Sequence, residues 1–238
     1  MVDTITNSLR DEFWIAVTNS DAARVKELLG HPQVAVLVDS ICPESVSMGN
    51  MFPIHLACTL GDERVCQVLL EHGACPSRLS VGGYNALHHA AASGYGECAS
   101  VLLDGSNTET QVQLLSALTT DHSFYLAGTA IYMPGGQTAA HVAATNGNTD
   151  FFDAVESALA EGSWKDTWDA LLATPDFDHC TVTECALLHR HERLAARLGG
   201  GCPGEGAVAL EDRQRAIHRE RQARFAQGRA RRREEERR

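Results

Sequence analysis

Small and apolar residues recur at helical spacing in three blocks that can be laid on one another. Pro53, Ile54, His55, Leu56, Ala57 and Cys58 form the first. Ala86, Leu87, His88, His89, Ala90 and Ala91 form the second, and Ala139, Ala140, His141, Val142, Ala143 and Ala144 the third. Each block runs into a glycine (Gly61, Gly94, Gly147) and then into a bulkier apolar run, namely Val65 to Leu70, Cys98 to Leu103 and Phe151 to Val155. The pattern predicts a helix, a tight turn and a second helix in each block. From His55 to His88 is 33 positions, a period that marks a stacked repeat array rather than one globular core.

The flanks follow the same pattern less closely. Residues 12–29 read as a divergent first unit, with Phe13, Trp14, Ala16 and Val17 on one helix and Ala22 to Leu29 on the next. There Ser20 and Asp21 stand where the later units have glycine and a following residue. Residues 30–49 form a long connection carrying the apolar run Val34 to Val38. The second and third units span about 47–79 and 80–106, and the fourth about 135–160. From His88 to His141 is 53 positions, so the period breaks and about 107–134 hold an insertion. Within it, Thr110 to Leu118 reads as an extended second helix, and Phe124, Tyr125, Ile131 and Tyr132 as two short strands around Gly128. Trp164 to Leu172 predicts a further helix, and 181–198 a degenerate capping unit. Residues 201–206 are a glycine-rich linker, and 207–238 an arginine-rich helical or disordered tail.

These motifs resemble the ankyrin-repeat family, strongly over about 50–158 and weakly in the flanks. The resemblance implies an all-α solenoid of four to five helix-turn-helix units over 1–200, with a β-hairpin-like insertion and a basic C-terminal helix. Thr138 and Asn85 stand at the family's capping threonine, where a side-chain oxygen accepts a helix N–H. Phe52 replaces that threonine in the second unit, while Pro53 suits a first helical turn that needs no N–H. His55, His88 and His141 recur with the structural period and read as buried hydrogen-bonding groups rather than as ligands or bases. Partners of the family meet the loop tips and the concave face of the first helices. Carried onto this sequence, these are Arg78, Leu79, Val81 and Tyr84 at one tip, and Leu60, Asp62, Ser93, Tyr95, Asn146 and Asn148 along the helix ends. Phe124, Tyr125, Ile131 and Tyr132 on the insertion form a second patch.

Charge divides the chain. The net charge is -11, yet residues 211–238 hold 11 arginines against 6 acids. The other 210 residues carry 9 basic and 25 acidic side chains, which argues against nucleic acid as a partner of the body and leaves it open for the tail. Arg213, Arg221, Arg224, Arg231, Arg232 and Arg233 are the candidate tail contacts. No apolar run is long enough to span a bilayer, and Met1 to Asp11 lack a signal-peptide layout. The eight cysteines include no CxxC pair; Cys58, Cys66, Cys98 and Cys185 read as small core hydrophobes. A cytoplasmic protein is expected, with nucleus or cytoskeleton as alternatives. His179, Cys180, Cys185, His189 and His191 have zinc-compatible chemistry but fit no standard finger spacing, and Cys185 falls on a core position. No nucleophile elbow, Walker or dinucleotide pattern occurs, so neither enzyme activity nor a cofactor is expected. The expected function is a scaffold or adaptor that binds other proteins, monomeric alone or a subunit of a multiprotein assembly. The alternative is a chromatin- or nucleic-acid-associated regulator acting through the tail.

Overall fold

The computed structural model describes residues 2–43, 51–120, 122–126, 129–133, 135–159, 164–199, 210, 212, 213, 215–217, 219 and 220, with backbone alone for 2–7 and 122–133. Five helix pairs follow one another. They are α1 (Val2–Thr18) with α2 (Ala22–Leu29), and α4 (Pro53–Leu60) with α5 (Glu63–Glu71). Next come α6 (Ala86–Ser93) with α7 (Gly96–Asp104), and α9 (Ala139–Asn146) with α10 (Thr149–Ala158). The last pair is α12 (Val182–Leu188) with α13 (Glu192–Arg197). The connection after the first pair winds through α3 (Pro32–Ala35) and a 3-10 turn, Val36–Asp39. Between the fourth and fifth pairs lies α11 (Trp164–Ala173).

The first helices stack as one row, α1, α4, α6, α9 and α12, and the second helices α2, α5, α7 and α10 as another. Small residues let the first row approach closely: Ala57, Ala90, Ala91, Ala143 and Ala144 are fully buried. Val65, Leu69, Leu102, Leu103, Phe151 and Phe152 fill the space between the rows. Each fully buried Leu contributes about 1.5–3 kcal/mol by transfer from water. Cys58, Cys66 and Cys98 are part of this core, with Sγ atoms 3.5 Å (Cys58 to Cys66) and 3.9 Å (Cys66 to Cys98) apart. Among the described residues, no helix is long and apolar enough to cross a membrane.

Every pair turns through a left-handed residue. In the three regular units it is Gly61 (φ 77°), Gly94 (φ 83°) or Gly147 (φ 73°). At the two ends of the array, Ser20 (φ 59°) and Arg190 (φ 63°) hold the same conformation despite carrying a Cβ.

The insertion begins differently from the sequence expectation. Instead of extending α7, residues Thr108–Ser116 form a separate helix, α8. Asn107 starts it by accepting from the Thr110 N–H at 2.9 Å, and Leu114 and Leu115 bury it against the array. The chain then pairs β1 (His122–Leu126) antiparallel with β2 (Thr129–Met133), Phe124 facing Ile131 and Tyr125 facing Ala130. Backbone bonds close the base of this ribbon. Thr119 N–H donates to Gln137 O (3.0 Å), Gly136 N–H to Thr119 O (2.7 Å) and Thr120 N–H to Gly82 O (2.8 Å).

Candidate interaction surface

The three recurring histidines link each unit to the next. Nε2 of His55 bonds Arg78 O at 3.0 Å, that of His88 bonds Gln137 O at 3.1 Å, and that of His141 bonds Cys180 O at 3.1 Å. A carbonyl only accepts, so each ring carries its proton on Nε2. Nδ1 of each then faces the N–H of its own cap residue, Phe52, Asn85 or Thr138, at 3.2–3.4 Å. Burial pushes His55 and His88 down to about 4, and lowers His141 as well. In the last unit Glu184 takes the histidine's place and closes a capping box with Thr181, accepting from Thr181 N–H at 2.9 Å.

A second link uses the residue that follows each left-handed turn. Tyr95 lies over Gly61, Asn148 over Gly94 and His191 over Gly147, each so close that a Cβ on the glycine would collide with it. Asn148 donates from Nδ2 to Ala91 O at 2.6 Å, and His191 Nε2 bonds Thr145 O at 3.1 Å. These contacts cap the exposed carbonyls of the preceding first helix. Sequence placed Asp62, Asn146 and Asn148 on a binding face, but their polar atoms are engaged internally. Asp62 caps α5 through the Arg64 and Val65 N–H groups (3.0 and 2.9 Å), and Asn146 bonds Val142 O at 2.8 Å. Ser93 is half-buried, while Leu60 and Tyr95 stay largely exposed. The signal for the internal role was legible as a recurrence: Asp62, Tyr95, Asn148 and His191 share one position of the repeat.

The loop edge carries the exposed apolar groups. Leu79 and Val81 are each 53% exposed, so neither is covered by the 30–43 connection. Arg78 beside them reaches Asp39 at 3.4 Å and lies 5.5 Å from the Phe52 ring centroid. Tyr84 is half-buried, set edge-on to His88 at 5.6 Å, and belongs to the support beneath this tip. Ser80 is buried there and bonds His89 Nε2 at 3.0 Å, while the His89 ring stacks on His55 at 4.8 Å.

Leu118 (44% exposed) and Phe177 (47%) lie on neighbouring tips and were missed in the sequence. Phe177 N–H donates to Gly135 O at 3.2 Å, and the Thr120 bond to Gly82 ties the Leu118 segment to the Val81 loop. Counting three residues back from Tyr84 and from Cys180 gives Val81 and Phe177, so the repeat register itself held the clue. Side chains of Phe124, Tyr125, Ile131 and Tyr132 lie outside the described residues, although their strands rise from this edge.

Other sequence candidates are placed elsewhere. Cys180 and Cys185 are buried and His191 is engaged with Thr145 O. Among the described residues, no group of three or more His, Cys, Asp or Glu is arranged to hold a metal ion. Arg213 is held by the body: its Nη2 donates to His179 O (3.1 Å) and Glu184 Oε1 (3.1 Å) and lies 3.6 Å from Cys180 Sγ. Leu210, 7% exposed, packs into the core beside it. The linker 201–206 and Arg221, Arg224, Arg231, Arg232 and Arg233 lie outside the described residues.

Comparison with known proteins agrees with the architecture. Residues 13–113 match the family model for ankyrin repeats, in three copies. No curated protein matches the chain.

Proposed function

With ankyrin repeats forming an all-α solenoid in this chain, and such repeats serving generally as protein–protein interaction modules, we propose that it is a scaffold or adaptor subunit of a cytoplasmic multiprotein assembly. Its partner docks on the loop edge. One observation carries this reading: Leu79, Val81, Leu118 and Phe177 are exposed on tips that backbone hydrogen bonds hold in fixed relation. Apolar side chains on a rigid edge, whose removal from water is favourable, are the ordinary anchors of a protein interface. The acidic body favours encounter with a basic partner.

The test is affinity capture from native extract followed by mass spectrometry, with the full chain and a Leu79→Ser/Val81→Asp/Phe177→Ser variant. Leu79 and Val81 are exposed, while the Phe177 ring also lies over Gly136. The melting temperature of the variant is therefore measured beside the parent's, and capture is compared at a temperature where both are folded. A defined set of proteins retained by the parent and lost by the variant supports the reading. Identical sets from both would sink it. Nucleic acid retained instead, with steep salt dependence and lost on deleting 214–238, would favour the tail-based regulator.

A further inference from the structure

The last unit breaks the histidine ladder, and the break changes what that unit can bind. In the three units before it, an imidazole N–H donates forward to a carbonyl of the next unit. Glu184 stands at that position in α12, and an ionised carboxylate only accepts. It cannot bond the carbonyl of a further unit and calls for a donor instead. One of its oxygens, Oε2, serves the unit's own cap, accepting from Thr181 N–H at 2.9 Å. The other, Oε1, accepts from Arg213 Nη2 at 3.1 Å. The same nitrogen donates to His179 O, also at 3.1 Å. A carboxylate and a carbonyl thus converge on one guanidinium, a donor that keeps its charge at any physiological pH.

Arg213 arrives on a helical segment. The described residues between 210 and 220 are helical, and three of their side chains form a stripe at i, i+3 and i+7. Leu210 is buried in the core, Arg213 is paired with Glu184, and Ile217 is half-buried. Asp212, Arg215, Ala216, Arg219 and Glu220 are exposed. One buried leucine and a half-exposed ion pair make a contact of low intrinsic affinity. Connection through the glycine-rich linker 201–206 keeps it closed by raising the local concentration of the segment. A ligand with the same anchors and a closer fit competes with such a contact.

We propose that the C-terminal end of the array is a docking site for an arginine-bearing helix of a partner protein, held by the chain's own 210–217 stripe until that helix displaces it. The partner helix carries leucine, arginine and an aliphatic residue at the spacing of Leu210, Arg213 and Ile217. Its leucine takes the place of Leu210, and its arginine bridges Glu184 and the His179 carbonyl. A helix with an acid in place of that arginine is rejected, because Glu184 repels it. The site uses none of the four loop-edge anchors, so it stands or falls apart from the reading of that edge.

The probe is a fluorescein-labelled peptide with the sequence of residues 207–220, titrated by anisotropy. The two receptors are the full chain and a full-length Leu210→Ser/Arg213→Ser variant, whose own segment no longer competes. Binding is measured at a temperature where both are folded by circular dichroism. The variant should bind the peptide saturably, and the parent about tenfold more weakly, because its site is filled. Adding Glu184→Gln, which keeps an acceptor for Thr181 N–H, should weaken the variant's binding about tenfold. A peptide carrying Arg213→Glu should not bind. A second measurement needs no variant: excess peptide should raise deuterium uptake between 210 and 220 of the isotope-labelled parent chain, whose fragments differ in mass from the peptide. The proposal is overturned if the folded variant takes no peptide, if parent and variant bind it alike, if the Arg213→Glu peptide binds as well, or if uptake in the parent does not change. A parent that sediments as a dimer, and as a monomer once Arg213 is replaced, would overturn it too, since a second copy's segment would then be the occupant.

Discussion

At the residue scale, the imidazole is this protein's most sensitive group. His55 and His88 are neutral inside the array and titrate there at about 4, whereas an unfolded chain protonates them near the ordinary value of about 6.5. Between those values the unfolded state binds more protons, so lowering the pH favours it. Their contribution is complete above pH ~6.5 and is lost as pH falls toward about 4, on the order of 3 kcal/mol for each. Urea unfolding from pH 7.5 to 4.5 should therefore show stability dropping steadily with acid. A flat profile across that window would contradict the buried neutral ladder. The histidines were legible in the sequence because each holds the same place in a recurring block, His55 and His88 33 positions apart, and a ligand set has no reason to do so. Arg213 was not legible. Nothing in the tail's composition separates it from the other arginines, and only the fold brings Glu184 and the His179 carbonyl within its reach.

At the scale of the element, each of the three regular helix pairs is a hairpin whose turn is closed by the following unit. Gly147 illustrates the consequence. Its φ of 73° already disfavours a side chain, and an added Cβ would lie 2.4 Å from His191 Nδ1. His191 cannot swing aside without giving up its bond to Thr145 O. Gly147→Ala should cost about 2–3 kcal/mol, combining left-handed strain with one lost hydrogen bond. Gly61→Ala should cost about 1–2, since the exposed Tyr95 above it can move. Chemical denaturation of both variants checks the order, and a reversed ranking would refute the closure argument. The paired helices were predictable from periodicity. The start of α8 was not, because Leu114 and Leu115 continue the apolar pattern of α7; the break is made by Gly105, Ser106 and the capping Asn107. The loop-edge anchors were half legible. Leu79 and Val81 stood out as apolar residues in a polar tip, while Phe177 required the repeat register to be carried past the insertion.

At the scale of the molecule, the array has two ends of different character. Its N-terminal unit buries Phe13 and Trp14, whereas its C-terminal unit is covered partly by Leu210 and Arg213 from beyond the linker. A chain ending at residue 206 loses both contacts and should melt several degrees lower, in keeping with about 2 kcal/mol for one buried leucine. Differential scanning calorimetry against the full chain measures this; equal melting temperatures would show the tail's root to be ornamental. The two ladders run in opposite directions, the histidines reaching forward along the chain and the turn-covering residues reaching back. Each histidine and each turn-covering residue bridges to an adjacent unit, and the Asn148 bond to Ala91 O survives the whole insertion between them. Inheritance follows from that arrangement. A duplication or crossover cut at equivalent points of two units carries one complete set of links with it and leaves the junction in register. A cut at unequal points changes the spacing between a unit's histidine, which reaches forward, and the residue after its turn, which reaches back, and one of the two links is lost. New length can therefore enter this lineage as whole units or as loops at the tips, and those tips are where the chain has accepted it.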